Sequence, residues 1–567
     1  MSRRHTTHQR IHRLLEIRNR YDSESSREKL DLLRLMHDIK ARSSLELRLL
    51  HTALCFVRAF PDSRAHYREA QSLLDSFATR VCKLPASARE ELWDTGIAGS
   101  PLHYRFSYEV ALWLSRRAAR TVALDWDDMD DSNRLDELLE HMLLPAEQEY
   151  FDSGYVRTRD WIEMVSKNAG DSEFHWLMGQ LQRAEFVSIW SQLYNAADVA
   201  LAWDLGDSDW SVSKNRLPVR RFVARAGGMR KPPKKPRQEI TRPLDDVRLL
   251  SRRLGGRLID TAMASLAVRH RETYHFNFAN PAEVWVADVG QGVSVAVLGL
   301  KQEYRFPLEC TMGYLVLANG VPVGYGGSSL LFRQVNTGLN IFPEYRGSEA
   351  AFLWLQVMRV YHHLSGCTRF IANPYQFGGD NTEALKSGAF WFYYRLGYRP
   401  VLPKIRKLAS REFARMRDNR KYRCDLRTLT RLVCCDMHLV LPGARPGELF
   451  EERWIETSSM LATEAIGAVG GTTRIDAAGK VAESVAKDIG LRSMVGWSKE
   501  ERSGFLRVAP LVAAARPASW SAAEKRAMRE LVRAKGGPIE AQYARLLGQH
   551  QRFLRELRAS CRRAEIH

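Results

Sequence analysis

The chain has 567 residues, too long for one ordinary core, and this length corresponds to about three or four domains. Its hydrophobic content of 45% is ample for folding, while 85 Lys and Arg against 66 Asp and Glu leave a formal net charge of +19, which favours polyanionic or otherwise acidic partners. The eight cysteines form no CxxC pair and no compact framework, and no run approaches the ~18 apolar residues of a membrane span, so neither a disulfide-stapled scaffold nor a spanning helix is expected.

Residues 1–20 are rich in Arg and His and lack the apolar core of a secretory signal, so a cytoplasmic location with reduced thiols is expected. From about Ile11 to Phe222, leucines such as Leu45, Leu47, Leu50 and Leu54 recur largely at three- and four-residue spacing, which predicts an N-terminal helical domain over 1–226. Gly227-Gly-Met-Arg-Lys-Pro-Pro-Lys-Lys-Pro-Arg237 follows, a basic run whose prolines cannot join a helix or a ladder. It predicts a linker over 227–243 that is a solvated connector rather than a nucleic-acid or membrane contact.

After a short helical pattern from Leu244 to Val268 the composition changes to strands. Residues 283–289 and 293–300 read as strands separated by Gly290-Gln-Gly292, and 313–326 reads as a hairpin turning at Asn319-Gly320, a pair suited to the positive backbone angles of a type I′ turn. A strand over 330–342 leads into a loop. A helix over 348–365 stops at Gly366, and 368–372 is a strand, 381–395 a helix and 398–401 a strand. A basic helical insertion spans 404–432, 433–441 is the last strand, and 446–567 is a C-terminal basic helical region. The expected fold is α/β with a mixed sheet at 244–445, flanked by a large N-terminal and a smaller C-terminal helical region.

The stretch that organises the chain runs from Met312 to Val401, with its centre at 340–352. An apolar strand pattern ends in Tyr345-Arg346-Gly347-Ser348 and an amphipathic helix pattern starts at once, so backbone N–H groups at that start form a seat for an anion. Some thirty residues on, a second helix pattern ends in Phe390-Trp-Phe-Tyr-Tyr-Arg-Leu-Gly-Tyr-Arg-Pro400. The order hairpin, strand, loop, helix, strand, helix, strand, together with Pro343-Glu-Tyr-Arg-Gly-Ser-Glu-Ala-Ala351 and Tyr393-Tyr-Arg-Leu-Gly-Tyr398, resembles the GNAT superfamily of N-acyltransferases over about residues 280–441.

The resemblance implies an acyl donor, acetyl-CoA or another acyl-CoA, held by Asn340, Ile341, Phe342, Arg346, Gly347, Ser348, Glu349, Ala350 and Ala351, and an amine acceptor. It makes Tyr393 the general acid that protonates the leaving thiolate. Two positions depart from the family pattern: Glu349 stands where the middle glycine is usual, which puts a carboxylate beside a pyrophosphate, and Lys386 stands where an Asn is usual. The loop 373–381 lies between strand and helix where open α/β sheets place ligands, so Tyr375, Gln376, Asp380 and Asn381 are candidates for the acceptor pocket; a plain turn with Asp380 or Asn381 as helix cap is the alternative.

The residues leave Tyr393 open to a second reading, as one more core aromatic beside Phe390, Trp391 and Phe392. Glu303, Glu309, Asp380 and Glu383 are candidate bases by type only. Cys434, Asp436 and His438 alternate onto one face of a strand, but no second ligand cluster accompanies them, so no metal site is expected. The leading function is thus acyl transfer from acyl-CoA to an amine. A non-catalytic scaffold with this fold is the alternative supported by Glu349 and Lys386, and a nucleic-acid-associated protein is the one supported by the charge. An acidic partner, including an acyl carrier protein as donor, fits the same basic balance.

Overall fold

The structure, a computed structural model, describes residues 6–129, 132–183, 187–219, 221–225, 227–445 and 447–565. Its N-terminal part is built from helices, among them α1 (Ser44–Ala59), whose Leu47, Leu50, Leu54 and Val57 are buried and whose N-cap Ser43 accepts from the Glu46 amide. The helical domain expected from the sequence also contains strands. A small antiparallel sheet, β1 (Pro101–Tyr104), β2 (Val122–Leu124) and β3 (Leu201–Asp204), is set among the helices in the order β1-β3-β2. Strands of three and four residues are too short for alternation to register against a helical background.

The connector is also corrected at its second half. Residues Pro236–Thr241 form helix α2, and it is docked rather than free: Gln356 donates to Glu239, and Arg359 donates to the carbonyls of Arg242 and Pro243.

The main sheet comprises β4 (Val247–Leu249), β5 (Ala279–Gly290), β6 (Val293–Leu300), β7 (Cys310–Ala318), β8 (Val321–Leu331), β9 (Gln334–Thr337), β10 (Asn340–Ile341), β11 (Arg369–Ala372), β12 (Arg399–Pro400) and β13 (Met437–Val440). The strand order is β12-β13-β11-β9-β8-β7-β6-β5-β4, with β10 paired to β8. All pairings are antiparallel except β9 with β11. Every residue of β7 is buried, as expected of a strand covered on both faces. The hairpin turn has Asn319 at φ 46° and Gly320 at φ 80°, the conformation its sequence requires, and the Asn319 amide also bonds Val223 and Ala59 of the N-terminal part.

Helix α3 (Arg252–Ala267) lies on β5, where Gly255 permits contact: a Cβ there would meet the Pro281 carbonyl at 2.2 Å. The crossover between β9 and β11 is α4 (Ala350–Ser365), which buries Leu353, Trp354, Val357, Val360 and Tyr361. The single helix expected over 381–395 is two, α5 (Thr382–Ser387) and α6 (Ala389–Arg395), divided at Gly388 with φ +68°. The insertion supplies α7 (Pro403–Asp418) and α8 (Leu426–Leu432).

The C-terminal helices, including α9 (Ala522–Lys535) and α10 (Glu540–Gln549), are joined to the sheet by buried charge. Arg305, with no side-chain exposure, stands 3.3 Å from Glu283 and 3.5 Å from Glu540. Glu283 accepts the Glu540 and Ala541 amides at the start of α10, the end of a helix that favours a carboxylate. Burial pushes the Glu283 carboxyl up to about 7 and the Lys535 ammonium down to about 8.

Candidate functional site

β9 and β11 run parallel over Gln334–Asn336 and Arg369–Ile371, and then they part. The chain of β9 continues without change of register as β10, which pairs with β8 alone. A wedge therefore opens beside the carboxyl end of β11, the place where parallel strands of an open sheet receive ligands. The ladder is interrupted at Gly338 and Leu339: the Tyr314 hydroxyl donates to the Gly338 carbonyl, which β8 would otherwise face, and on the wedge side the Tyr393 hydroxyl meets the Leu339 backbone. The Phe342 amide donates to Val323, so alternation leaves Leu339 and Ile341, rather than Asn340 and Phe342, with N–H groups turned into the wedge.

Beyond β10 the chain makes a 3₁₀ turn, Pro343–Tyr345, passes Gly347 at φ +86° and enters α4. The amides of Ala350, Ala351 and Phe352 have no acceptor among the described residues, and the Ser348 hydroxyl is buried without a partner. Two cations flank this helix start. The exposed Arg346 pairs with Glu383 at 3.3 Å, and the Arg230 guanidinium sits 4.5 Å over the Phe352 ring. This is an electropositive seat of free amides and cations.

Glu349 does not face that seat. It is 3% exposed, accepts from Arg225 at 3.1 Å and from the Arg230 amide at 2.6 Å, and so ties the loop to the N-terminal part. The other side of the loop is gripped as well: Glu344 pairs with Arg269 at 3.3 Å, and Arg269 stands 4.2 Å over Phe342.

Of the four candidates in the 373–381 loop, the structure brings one to the wedge. Gln376 packs its side-chain amide against Gly338, where a Cβ would meet its Oε1 at 1.9 Å. The other three stand differently. Tyr375 is 60% exposed and Asp380 is exposed, while Asn381 caps α5, accepting from the Ala384 amide at 3.1 Å and donating to the Tyr375 carbonyl. Tyr393 is 4% exposed in a nest of Trp354, Phe377 and Tyr398 rings, and burial raises its phenol well above the ordinary value. Tyr393 is thus a core residue whose hydroxyl reaches the Leu339 backbone at the interruption. Lys386 is exposed.

On the other face of the sheet lies a cavity of about 650 Å³ that includes Asn336 and Ile371, the last pair before the strands part. Ser329, Gln334, Asp436 and His438 come from the sheet side, and Glu309, Glu451 and Glu452 from the loops around it. Among the described residues its lining carries four carboxylates and one Lys or Arg, Arg453, which pairs with Glu451 at 2.8 Å, in a chain of strongly positive net charge. Glu309 accepts from the Ser329 hydroxyl. Arg369 stands 3.2 Å from His438 Nδ1, and burial together with Arg369 and Arg406 pushes that imidazole down to about 4, so the neutral ring accepts there and carries its proton on Nε2. Asp436 is raised above the ordinary carboxylate range by burial and by Glu452.

Alternation in the sequence pairs Asp436 with His438, and Glu309 is among the candidate carboxylates, whereas Asn336 and Ser329 are not singled out by the sequence pattern. Polar residues alternating within an apolar sheet were the available signal. No family model matches the chain, and no curated protein and no solved structure matches it.

Proposed function

We propose that this protein is an N-acyltransferase that moves an acyl group from an acyl-CoA thioester to an amine. The observation that carries the proposal is the parting of β9 and β11, with an unfilled helix start on one side and an acidic cavity reaching the last strand pair on the other. The sheet and helices also follow the order on which the GNAT resemblance rests. The donor pyrophosphate binds the amides of Ala350, Ala351 and Phe352 with Ser348 and Arg346, and the thioester lies in the wedge. Glu349 is a structural anchor, so its charge does not oppose the donor.

The acceptor enters the cavity as a cation, attracted by Glu309, Asp436, Glu451 and Glu452. Asp436, whose proton affinity is raised by burial and by Glu452, takes the ammonium proton and frees the lone pair. The amine nitrogen bonds to the carbonyl carbon and the developing oxyanion is met by the Ile341 N–H; the carbon–sulfur bond then breaks as Tyr393 protonates the thiolate, and the proton shed by the amine nitrogen as the amide forms passes through solvent to restore the Tyr393 phenol, while Asp436 returns its own proton to solvent.

Thiol release from acetyl-CoA and longer acyl-CoAs, measured with a panel of amines, tests this reading. Tyr393→Phe and Asp436→Asn should each lower kcat by about 10²-fold or more with donor affinity retained. Turnover equal to wild type in both variants would remove these residues from the chemistry. A second reading, a scaffold that keeps the fold without catalysis, is favoured by Gln376 filling the space at Gly338. Binding of acyl-CoA without thiol release under every amine supports that reading instead.

A further inference from the structure

We propose that the helical insertion between β12 and β13 is a nucleic-acid docking surface that grips the phosphodiester backbone. Residues 403–432 hold eleven Lys and Arg against three Asp and Glu, a net charge of +8 out of the chain's +19, concentrated in about a twentieth of its length. All eleven cations are exposed. Among the described residues, only Arg411, Arg415 and Arg417 have a carboxylate within ion-pair distance, and those carboxylates are Glu412 and Asp418. Glu412 is itself turned inward, its side chain 3% exposed and also bonded by Tyr422, so it dilutes the outer field little.

The placement is ordered. On α7, Lys404, Lys407, Arg411 and Arg415 are three, four and four residues apart, which aligns them as one stripe about 16 Å long. Leu408 beside the stripe and Ala409 across the helix from it are buried, and Phe413, also across the helix, packs against the Trp391 and Tyr394 rings of α6, so the stripe is held outward by packing. Arg420, Lys421, Arg427 and Arg431 continue the cationic surface through the loop and α8. Like charges at this density repel one another, and a polyanion removes that cost.

The partner's chemistry follows from the composition. Eight of the eleven cations are arginine, whose planar fork matches phosphate oxygens. An acidic protein helix would instead need an apolar seat, and the surface offers only the isolated exposed Leu402 and Leu426. Nothing in the insertion reads bases, so binding is expected to follow the backbone rather than the sequence.

Fluorescence anisotropy of the full chain with labelled single-stranded RNA and with a DNA duplex, at about 50 and 200 mM salt, tests the proposal. Binding should weaken steeply with salt. K404Q/K407Q/R427Q/R431Q should lose about tenfold or more in affinity and flatten the log–log salt slope by about three. K231Q/K234Q/K235Q/R237Q removes the same charge from the connector and should change affinity less than about threefold, a comparison that separates local docking from net charge. Thermal melts should be unchanged for both, since every position is exposed. The proposal is overturned by any of three results: no binding at about 100 µM protein in low salt, equal losses in the two variants, or competition by poly-L-glutamate as effective as by polyuridylate at equal charge.

Discussion

Glu349 decides whether the loop before α4 can hold an anion, and its role can be isolated by a double-mutant cycle with Arg225. The two side chains are 0% and 1% exposed, so neither charge is screened by water. Replacing Glu349 with Gln keeps the shape and the bond from the Arg230 amide, yet leaves the Arg225 guanidinium buried without its counter-charge. Breaking a buried pair in this way costs about 3–5 kcal/mol. Pairing Arg225→Met with Glu349→Gln removes the orphaned charge, and the coupling recovered in the double variant should be about 2 kcal/mol or more. Arg225 Nε and Nη2 and Glu349 Oε2 lack partners, so the native pair is incompletely satisfied and the double variant should lie close to wild type. Urea unfolding followed by tryptophan fluorescence reads this out: at ordinary slopes, 3 kcal/mol moves the midpoint of the affected transition by about 1–2 M. A shift below about 0.5 kcal/mol in Glu349→Gln, accompanied by tighter acyl-CoA binding, would refute the reasoning, because the carboxylate would then have been facing the donor seat.

Three further outcomes are expected. His51, fully buried, is held down to about 3 and His275 to about 4, both by burial, so the unfolded chain takes up protons near pH 6.5 that the native state refuses. Their stability is present above pH 6.5 and is lost as pH falls toward those values; His51 alone costs about 2 kcal/mol at pH 5, and His51→Gln should flatten the stability-versus-pH curve measured by urea unfolding between pH 7 and 5. Arg305→Met should destabilise by about 3–5 kcal/mol and expose the α9–α10 junction to hydrogen exchange, since Glu283 and Glu540 lose their shared guanidinium; exchange unchanged there would show that the cluster is not what joins the C-terminal helices to the sheet. Gly320→Ala should cost more than about 1 kcal/mol in the same assay, because the residue sits at φ +80° and a Cβ would meet the Leu217 carbonyl at 2.1 Å.

The sheet was largely legible because its strands are long or bounded by strong turn residues. Cys310–Ala318 is apolar throughout, Asn319-Gly320 marks its turn, and Gly366 ends α4 in the left-handed conformation that glycine permits. The small sheet of β1–β3 escaped because each strand is shorter than one alternation pattern needs. The interruption at Gly338 escaped for another reason: nothing local to Gly338 and Leu339 announces that hydroxyls from residues 314 and 393 take their backbone groups. Glu349 was visible as a departure, but the sign of its effect depended on Arg225 and on the Arg230 amide, more than a hundred residues away. Asn381 reads in the sequence either as a pocket residue or as a helix cap, and its bonds to Ala384 and Tyr375 place it at the cap. The cavity carboxylates come from three separate stretches, residues 309, 436 and 451–452, and only the fold gathers them.

The central claim is that the start of α4 seats the donor pyrophosphate, and calorimetric titration of acetyl-CoA into wild type and Ala351→Glu tests it most directly. A carboxylate at that half-buried position suits a helix start, so the fold should hold, yet at about 4 Å from a phosphate charge it opposes binding by about 1–4 kcal/mol. The account predicts saturable binding to wild type that is weakened about tenfold or more in the variant. No heat at millimolar donor, or equal affinity in the two proteins, would contradict it.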